Sequence, residues 1–132
     1  MGIGLSKPAL DAGLVTREAE PLLAFYVEVF GLERLDPLVL PNIGTIHKLA
    51  AGESILRVMV PETLPEPDDA ESWSGRTGIR YLTLEVEDVA ATALAVEAKG
   101  GKVVLPPFEL RPGRFVSQAE DPDGNMLEIG QG

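Results

Sequence analysis

Two octets 70 positions apart follow one pattern: Asp11-Ala-Gly-Leu-Val-Thr-Arg-Glu18 and Tyr81-Leu-Thr-Leu-Glu-Val-Glu-Asp88. Ala12, Leu14 and Thr16 stand against Leu82, Leu84 and Val86, the alternation of a strand with one buried face. Each octet ends on an acidic residue, Glu18 or Asp88, at the entry to a helical pattern: Pro21 to Phe30 in the first half, Val89 to Lys99 in the second. Acidic side chains accept from the free N–H groups of a helix start and oppose its dipole, and a first turn tolerates Pro21. Glycine then stops each helix, Gly31 in one half and Gly100-Gly101 in the other. A repeat of this length constrains the fold strongly, because whatever supersecondary unit one half builds, the other builds too.

Short strand signals follow each helix. The first half offers Leu35 to Leu40, Thr45 to Leu49, a turn at Ala51-Gly52 and Ser54 to Val60. The second offers Lys102 to Leu105, Phe115 to Ala119, a turn at Pro122-Asp-Gly-Asn125 and Met126 to Ile129. Both halves therefore read β-α-β-β-β, an α+β chain. Module one covers about residues 7–60 and module two about 78–130. Between them, residues 61–77 are rich in proline and acid and carry no period, the signature of a linker. Its acidic run, Glu62 to Glu71, reads as solvated, and Trp73 as a residue that pins the linker to the body.

At 132 residues the chain has room for one core, hence one domain. No apolar run approaches the roughly 20 residues that cross a bilayer, and no signal pattern opens the chain, so a cytoplasmic protein without a membrane partner is expected. The absence of cysteine excludes disulfides, a thiolate nucleophile and sulfur-based metal sites. A formal charge of −10, with eleven scattered Lys and Arg, argues against a nucleic-acid partner, which needs clustered cations to neutralise phosphates. Gly2-Ile-Gly4 follows no strand, so it is no dinucleotide fingerprint, and the chain has no phosphate loop or serine elbow.

Strand parity separates two faces. Leu82, Leu84 and Val86 pack towards the helices and send Tyr81, Thr83 and Glu85 to the other face. Leu127 and Ile129 likewise leave Met126 and Glu128 opposite, and Leu56, Val58 and Val60 leave Ile55, Arg57 and Met59. A face of Tyr, Thr, Glu, Arg and Met is too polar for a core and too apolar for plain surface, which suits the lining of a cavity. His47, the only histidine, shares parity with Thr45 and Leu49; a tight Ala51-Gly52 hairpin places it on the Leu56 side, away from that lining.

The paired units, the helix end Phe25-Tyr26…Phe30-Gly31-Leu32, the helix entry Val86-Glu-Asp88 and above all Asp121-Pro-Asp-Gly-Asn-Met-Leu-Glu128 resemble the vicinal oxygen chelate superfamily. That group includes glyoxalase I, bleomycin resistance proteins, fosfomycin resistance enzymes and extradiol dioxygenases. The resemblance runs from about Lys7 to Ile129. It implies two modules whose strands curve into a cup-shaped half barrel with helices on the outer face, a small-molecule ligand in the cup, and a homodimer.

Metal-dependent members hold a divalent ion through the first and last strands of each unit, at positions that correspond here to Asp11, Arg57, Tyr81 and Glu128. Only Glu128 keeps the usual identity. Asp11 offers oxygen to a hard cation, but Arg57 cannot ligate and Tyr81 is a poor ligand for manganese, nickel or zinc. The resemblance thus implies a divalent metal that this ligand set does not favour, with Glu128 its ligand if one is present. Arg57 instead pairs with Glu128 or Asp11, or clamps an anionic ligand. Two roles stand open for Glu128: a structural carboxylate in an ion pair, or a catalytic general base that takes a proton next to a carbonyl. Similarity to the fosfomycin enzymes points Val116 and Gln118 at the cavity, Gln118 either orienting substrate or resting as a solvated amide.

Three functions fit these residues. The first is a lyase, isomerase or dioxygenase of the glyoxalase group with an altered ligand set. The second is a metal-free binder that sequesters a drug or metabolite, as bleomycin resistance proteins do. The third is an interaction module that keeps only the fold, since fold does not determine function.

Overall fold

The computed structural model describes residues 2–69 and 71–132. The elements run β1 (Ala12–Val15), α1 (Ala19–Phe30), β2 (Glu33–Leu40), β3 (Gly44–Ala51), β4 (Ser54–Pro61), β5 (Tyr81–Glu85), α2 (Val89–Ala98), β6 (Lys102–Arg111), β7 (Arg114–Glu120) and β8 (Met126–Gln131). The repeat is realised as two βαβββ units. Each builds a four-stranded sheet, ordered β1-β4-β3-β2 and β5-β8-β7-β6, and neither sheet closes. β1 pairs with β4 and β5 with β8 in parallel; the other neighbours are antiparallel.

α1 begins two residues before Pro21, with Glu18 at the N-cap in an extended conformation. Of the two acidic residues expected to cap, only Asp88 does so, accepting from the Ala91 N–H at 3.0 Å. Glu18 makes no side-chain cap. Its extra methylene carries the carboxylate past the N–H groups that a shorter side chain reaches. Gly31, at φ 70°, ends α1 in the left-handed conformation expected of a glycine stop. β6 runs beyond Leu105 to Arg111, with register shifts around Pro106 and Pro107. As an edge strand it accommodates residues that have no N–H to donate.

The helices lie together against one face of the sheets. Leu22, Leu23, Phe25 and Tyr26 of α1 and Val89 and Val96 of α2 share one core with Leu49, Leu56, Val58, Leu127 and Ile129. Burying a side chain such as Leu127 or Ile129 contributes about 1.5–3 kcal/mol. The parity assignment therefore holds: Leu82, Leu84 and Val86 pack on this core. Gly101 matters here, because a Cβ would overlap the Glu120 carbonyl, the Phe25 ring and Val96 where the exit of α2 meets α1.

The Asp121-Pro-Asp-Gly-Asn turn joins the modules. The buried Asp121 carboxylate accepts from the Tyr26 hydroxyl on α1 at 2.7 Å. It also accepts from the N–H groups of Asp123 and Asn125, both at 2.9 Å, and from Asn125 Nδ2 at 2.8 Å. Thr16 Oγ1, just after β1, donates to Asp123 at 2.5 Å. Burial raises the Asp121 pKa against the pull of these donors, and raises the Tyr26 phenol well above its ordinary 10. No helix among the described residues is long and apolar enough to cross a membrane.

Candidate functional site

The sheet faces turned away from the helices carry the polar set anticipated from strand alternation. In module two, Thr83 lies opposite Glu128, Glu128 opposite Gln118, and Gln118 opposite Leu105. In module one the corresponding row is Gly13, Arg57, Lys48 and Leu35. β1 and β5 are edge strands of separate sheets, and a cleft of about 340 Å³ lies along their seam. Asp11, Val15, Ile79 and Tyr81 are among the residues lining it.

A second cavity, of about 70 Å³, lies between the linker and module two, among Trp73, Tyr81, Gln118, Met126 and Glu128. The linker supplies its outer wall. The Trp73 and Tyr81 rings stand 5.4 Å apart at 81°, edge to face, and form a corner. The segment is pinned by Arg17 Nη1, which donates to the Pro65 carbonyl at 2.9 Å, and by ion pairs of Asp69 with Arg76 and Asp68 with Arg80. Part of the acidic run is thus engaged with flanking arginines rather than only solvated. Met126 is buried on this face outside the main core, and it belongs to both the cavity and the seam cleft.

Glu128 Oε1 accepts from Thr83 Oγ1 at 3.1 Å, and Glu128 has no ion pair among the described residues. Arg114, whose charge Glu128 also favours through space, bonds to Glu85 instead: its two terminal nitrogens donate to the two oxygens of Glu85, Nη2 at 3.0 Å. Each partner stabilises the other's charge, lowering the Glu85 pKa and raising that of Arg114. A Cβ at Gly130 would meet the ends of both side chains, so the pair would have to shift to admit any other residue there.

Asp11 and Arg57 come together on module one. Asp11 Oδ2 accepts from Arg57 Nη1 at 2.9 Å, Oδ1 from the Ile55 N–H at 2.9 Å, and both oxygens from Lys7 Nζ at 2.8 and 3.1 Å. Lys7 and Arg57 hold the Asp11 carboxyl far below the usual carboxylate range. Arg57 therefore pairs with Asp11 and not with Glu128. His47 pairs in register with Val58, on the helix side of β3, as the hairpin register required.

These side chains do not fit the divalent ion implied by the resemblance. Asp11 spends its lone pairs on three donors, Arg57 offers only donors and Tyr81 is a poor ligand, which leaves Glu128 as the one fitting carboxylate of the four. No group of three or more His, Cys, Asp or Glu among the described residues is placed to hold an ion. Of the five residues singled out from sequence, the structure thus gathers Tyr81, Gln118 and Glu128 in one cavity and leaves Arg57 outside it with Asp11, which shares the seam cleft with Tyr81. It adds Trp73, Thr83, Lys48 and Arg114. Parity alone had placed Thr83 on this face; Trp73 could be found only from its proximity in sequence to Tyr81, and Arg114 from its parity with Val116 and Gln118.

Comparison with known proteins agrees with the architecture. Glyoxalase I from Zea mays superposes with a TM-score of 0.78 at 24% identity, over 93% of this chain and 44% of the maize chain. The glyoxalase family protein from Enterococcus faecalis superposes with a TM-score of 0.67 at 22% identity, over 97% of both chains. A probable lactoylglutathione lyase from Synechocystis is 40% identical over 53 residues, 39% of this chain and 40% of that protein, so the match spans well under half of that relative. The family model for the Glyoxalase/Bleomycin resistance protein/Dioxygenase superfamily matches residues 10–129. With its two βαβββ units and a match over nearly its whole length, the chain belongs to that superfamily.

Proposed function

We propose that this protein binds a small organic molecule in the corner where Trp73 closes over Tyr81, Gln118 and Glu128, and that side chains rather than a divalent ion hold it. One observation carries the reading: the linker tryptophan turns an open sheet face into a cavity containing a carboxylate and an amide that have few or no other side-chain partners among the described residues. Such a mixture of aromatic walls and few polar groups suits a ligand site. Asp11 and Arg57, satisfied by one another, then belong to the scaffold of module one. A homodimer and a cytoplasmic location form part of the same proposal; exposed Leu105, Phe108 and Leu110 on the outer strand β6 support pairing with a second copy.

Trp73 is the only tryptophan, so its emission reports on the cavity directly. Titration with a chemically varied panel of small molecules, in buffer containing a chelator, is expected to yield saturable changes. Calorimetry on Tyr81→Ala should then show the affinity of any hit falling. Hits that bind Tyr81→Ala and wild type alike would place the ligand elsewhere and end the proposal.

A second reading is favoured by the Synechocystis relative, named a probable lactoylglutathione lyase. Glu128, hydrogen-bonded only by Thr83 among the described residues, is the residue that could take a proton from a bound carbonyl compound. That reading requires lactoylglutathione lyase turnover that Glu128→Gln abolishes while the fold survives.

A further inference from the structure

Resting on the proposed binding site, the geometry points to a ligand class: we infer that the Trp73 corner takes an organic cation with a compact ammonium head. Trp73 and Tyr81 both line the cavity and meet edge to face at 81°, which gives the corner aromatic surface on two sides. Ring faces carry negative electrostatic potential and attract a cation within about 6 Å. Glu128 forms a third wall and has no ion pair among the described residues. Its hydrogen-bond donor, Thr83, is neutral, and Arg114, which Glu128 also attracts through space, is paired with both oxygens of Glu85, so the three charged groups together keep one negative charge.

The surroundings select the same sign. The adjoining cleft, which shares Trp73 and Met126 with the cavity, is lined by Glu71, Glu120 and Asp123 as well as the Asp68–Arg80 pair. The chain as a whole carries −10. An anion entering here would face Glu128 and that field together, whereas a cation is drawn in by both. Size sets the head group. About 70 Å³ takes a few heavy atoms, such as the methyl groups of a quaternary ammonium, and no larger body. The remainder of the ligand would extend past Tyr81 and Met126 into the 340 Å³ seam cleft, where Ala12, Leu14, Val15 and Ile79 offer apolar contact.

The test compares choline with its neutral isostere 3,3-dimethylbutan-1-ol, which has the same shape without the charge, by titrating Trp73 emission in the full chain. Choline is expected to bind saturably and at least about tenfold more tightly than the alcohol. Glu128→Gln should remove most of that preference by weakening choline binding and leaving the alcohol unchanged. Equal binding of the two probes overturns the cationic class while leaving the binding site itself in place. A preference for choline that survives Glu128→Gln overturns the role of Glu128 as the third wall and leaves the aromatic corner as the source of selection. Silence towards both probes, alongside hits from the varied panel, likewise rejects an ammonium ligand and keeps the site.

Discussion

Rotating one module onto the other places Arg57 over Glu128 and Lys48 over Gln118, since Arg57 lies opposite Gly13 and Lys48 just as Glu128 lies opposite Thr83 and Gln118. Backbone and register repeat, but the inner face changes sign. On the helix side the same comparison superposes like on like, Leu56 on Leu127 and Val58 on Ile129, all four buried. The fold depends on the second set, because those residues fill the common core. The first set faces open space and is free to carry chemistry. In module one it has become a salt-bridged scaffold, Lys7, Asp11 and Arg57; in module two it keeps a carboxylate, without an ion pair among the described residues, beneath an aromatic corner.

The strongest way to break this comparison is to show that the helix-side positions are not equivalent. Leu56→Ala and Leu127→Ala should each cost about 2–5 kcal/mol in urea unfolding. A loss confined to one module would mean that the two halves do not share a core.

Tyr26→Phe comes next. It removes one of the donors to the buried Asp121 and should cost about 1–3 kcal/mol at neutral pH. It should also change the alkaline limb. The folded-state pKa of Tyr26 is raised above the ordinary 10, so its contribution is complete below pH 10 and is lost as pH rises towards the folded value. Wild type should therefore lose stability above pH 10 more steeply than the Phe variant, as read by the urea midpoint against pH.

The inner faces give smaller effects on stability and divergent effects on binding. Glu128→Gln should shift the unfolding midpoint little and lower the affinity for a cationic ligand about tenfold. Arg57→Gln should leave that affinity within about twofold, because Arg57 belongs to the other module and to Asp11. Equal losses from both variants would mean that one ligand bridges the two rows.

Acid pH produces the smallest expected effect. The Asp11 carboxyl is held low by Lys7 and Arg57, Glu20 by Arg34 and Glu85 by Arg114. Depressed folded-state values give stability that is present above the ordinary 3.8 or 4.5 and lost as pH falls through the folded values. All three pairs are exposed, so a gentle decline should begin below pH 4.5 and shrink in high salt. The raised value of Asp121 opposes it, contributing stability below 3.8 that is lost as pH rises through its folded value.

Most of the fold was legible because period-two alternation and the spaced glycines act locally. Leu82, Leu84, Leu127 and Ile129 fell on the core side from parity alone. What parity cannot supply is partnership across the chain. The Asp121 motif is conspicuous in sequence, yet its work is to bind Tyr26, 95 positions away, and join the modules. Arg57 had two carboxylates within conceivable reach, and only the three-dimensional arrangement selects Asp11. Trp73 sits in a stretch without period, so nothing local shows that it turns back over Tyr81 to make the cavity. The glutamate cap failed for a different reason: charge placement at a helix start is visible in sequence, whereas side-chain reach is not.

The central claim is that the site on module two works without a bound ion, and metal content tests it most directly. Protein purified without chelator, and again after incubation with manganese, nickel, zinc or iron(II), should retain only sub-stoichiometric metal after dialysis. A stoichiometric ion that is retained by wild type and lost in Glu128→Gln would contradict the account.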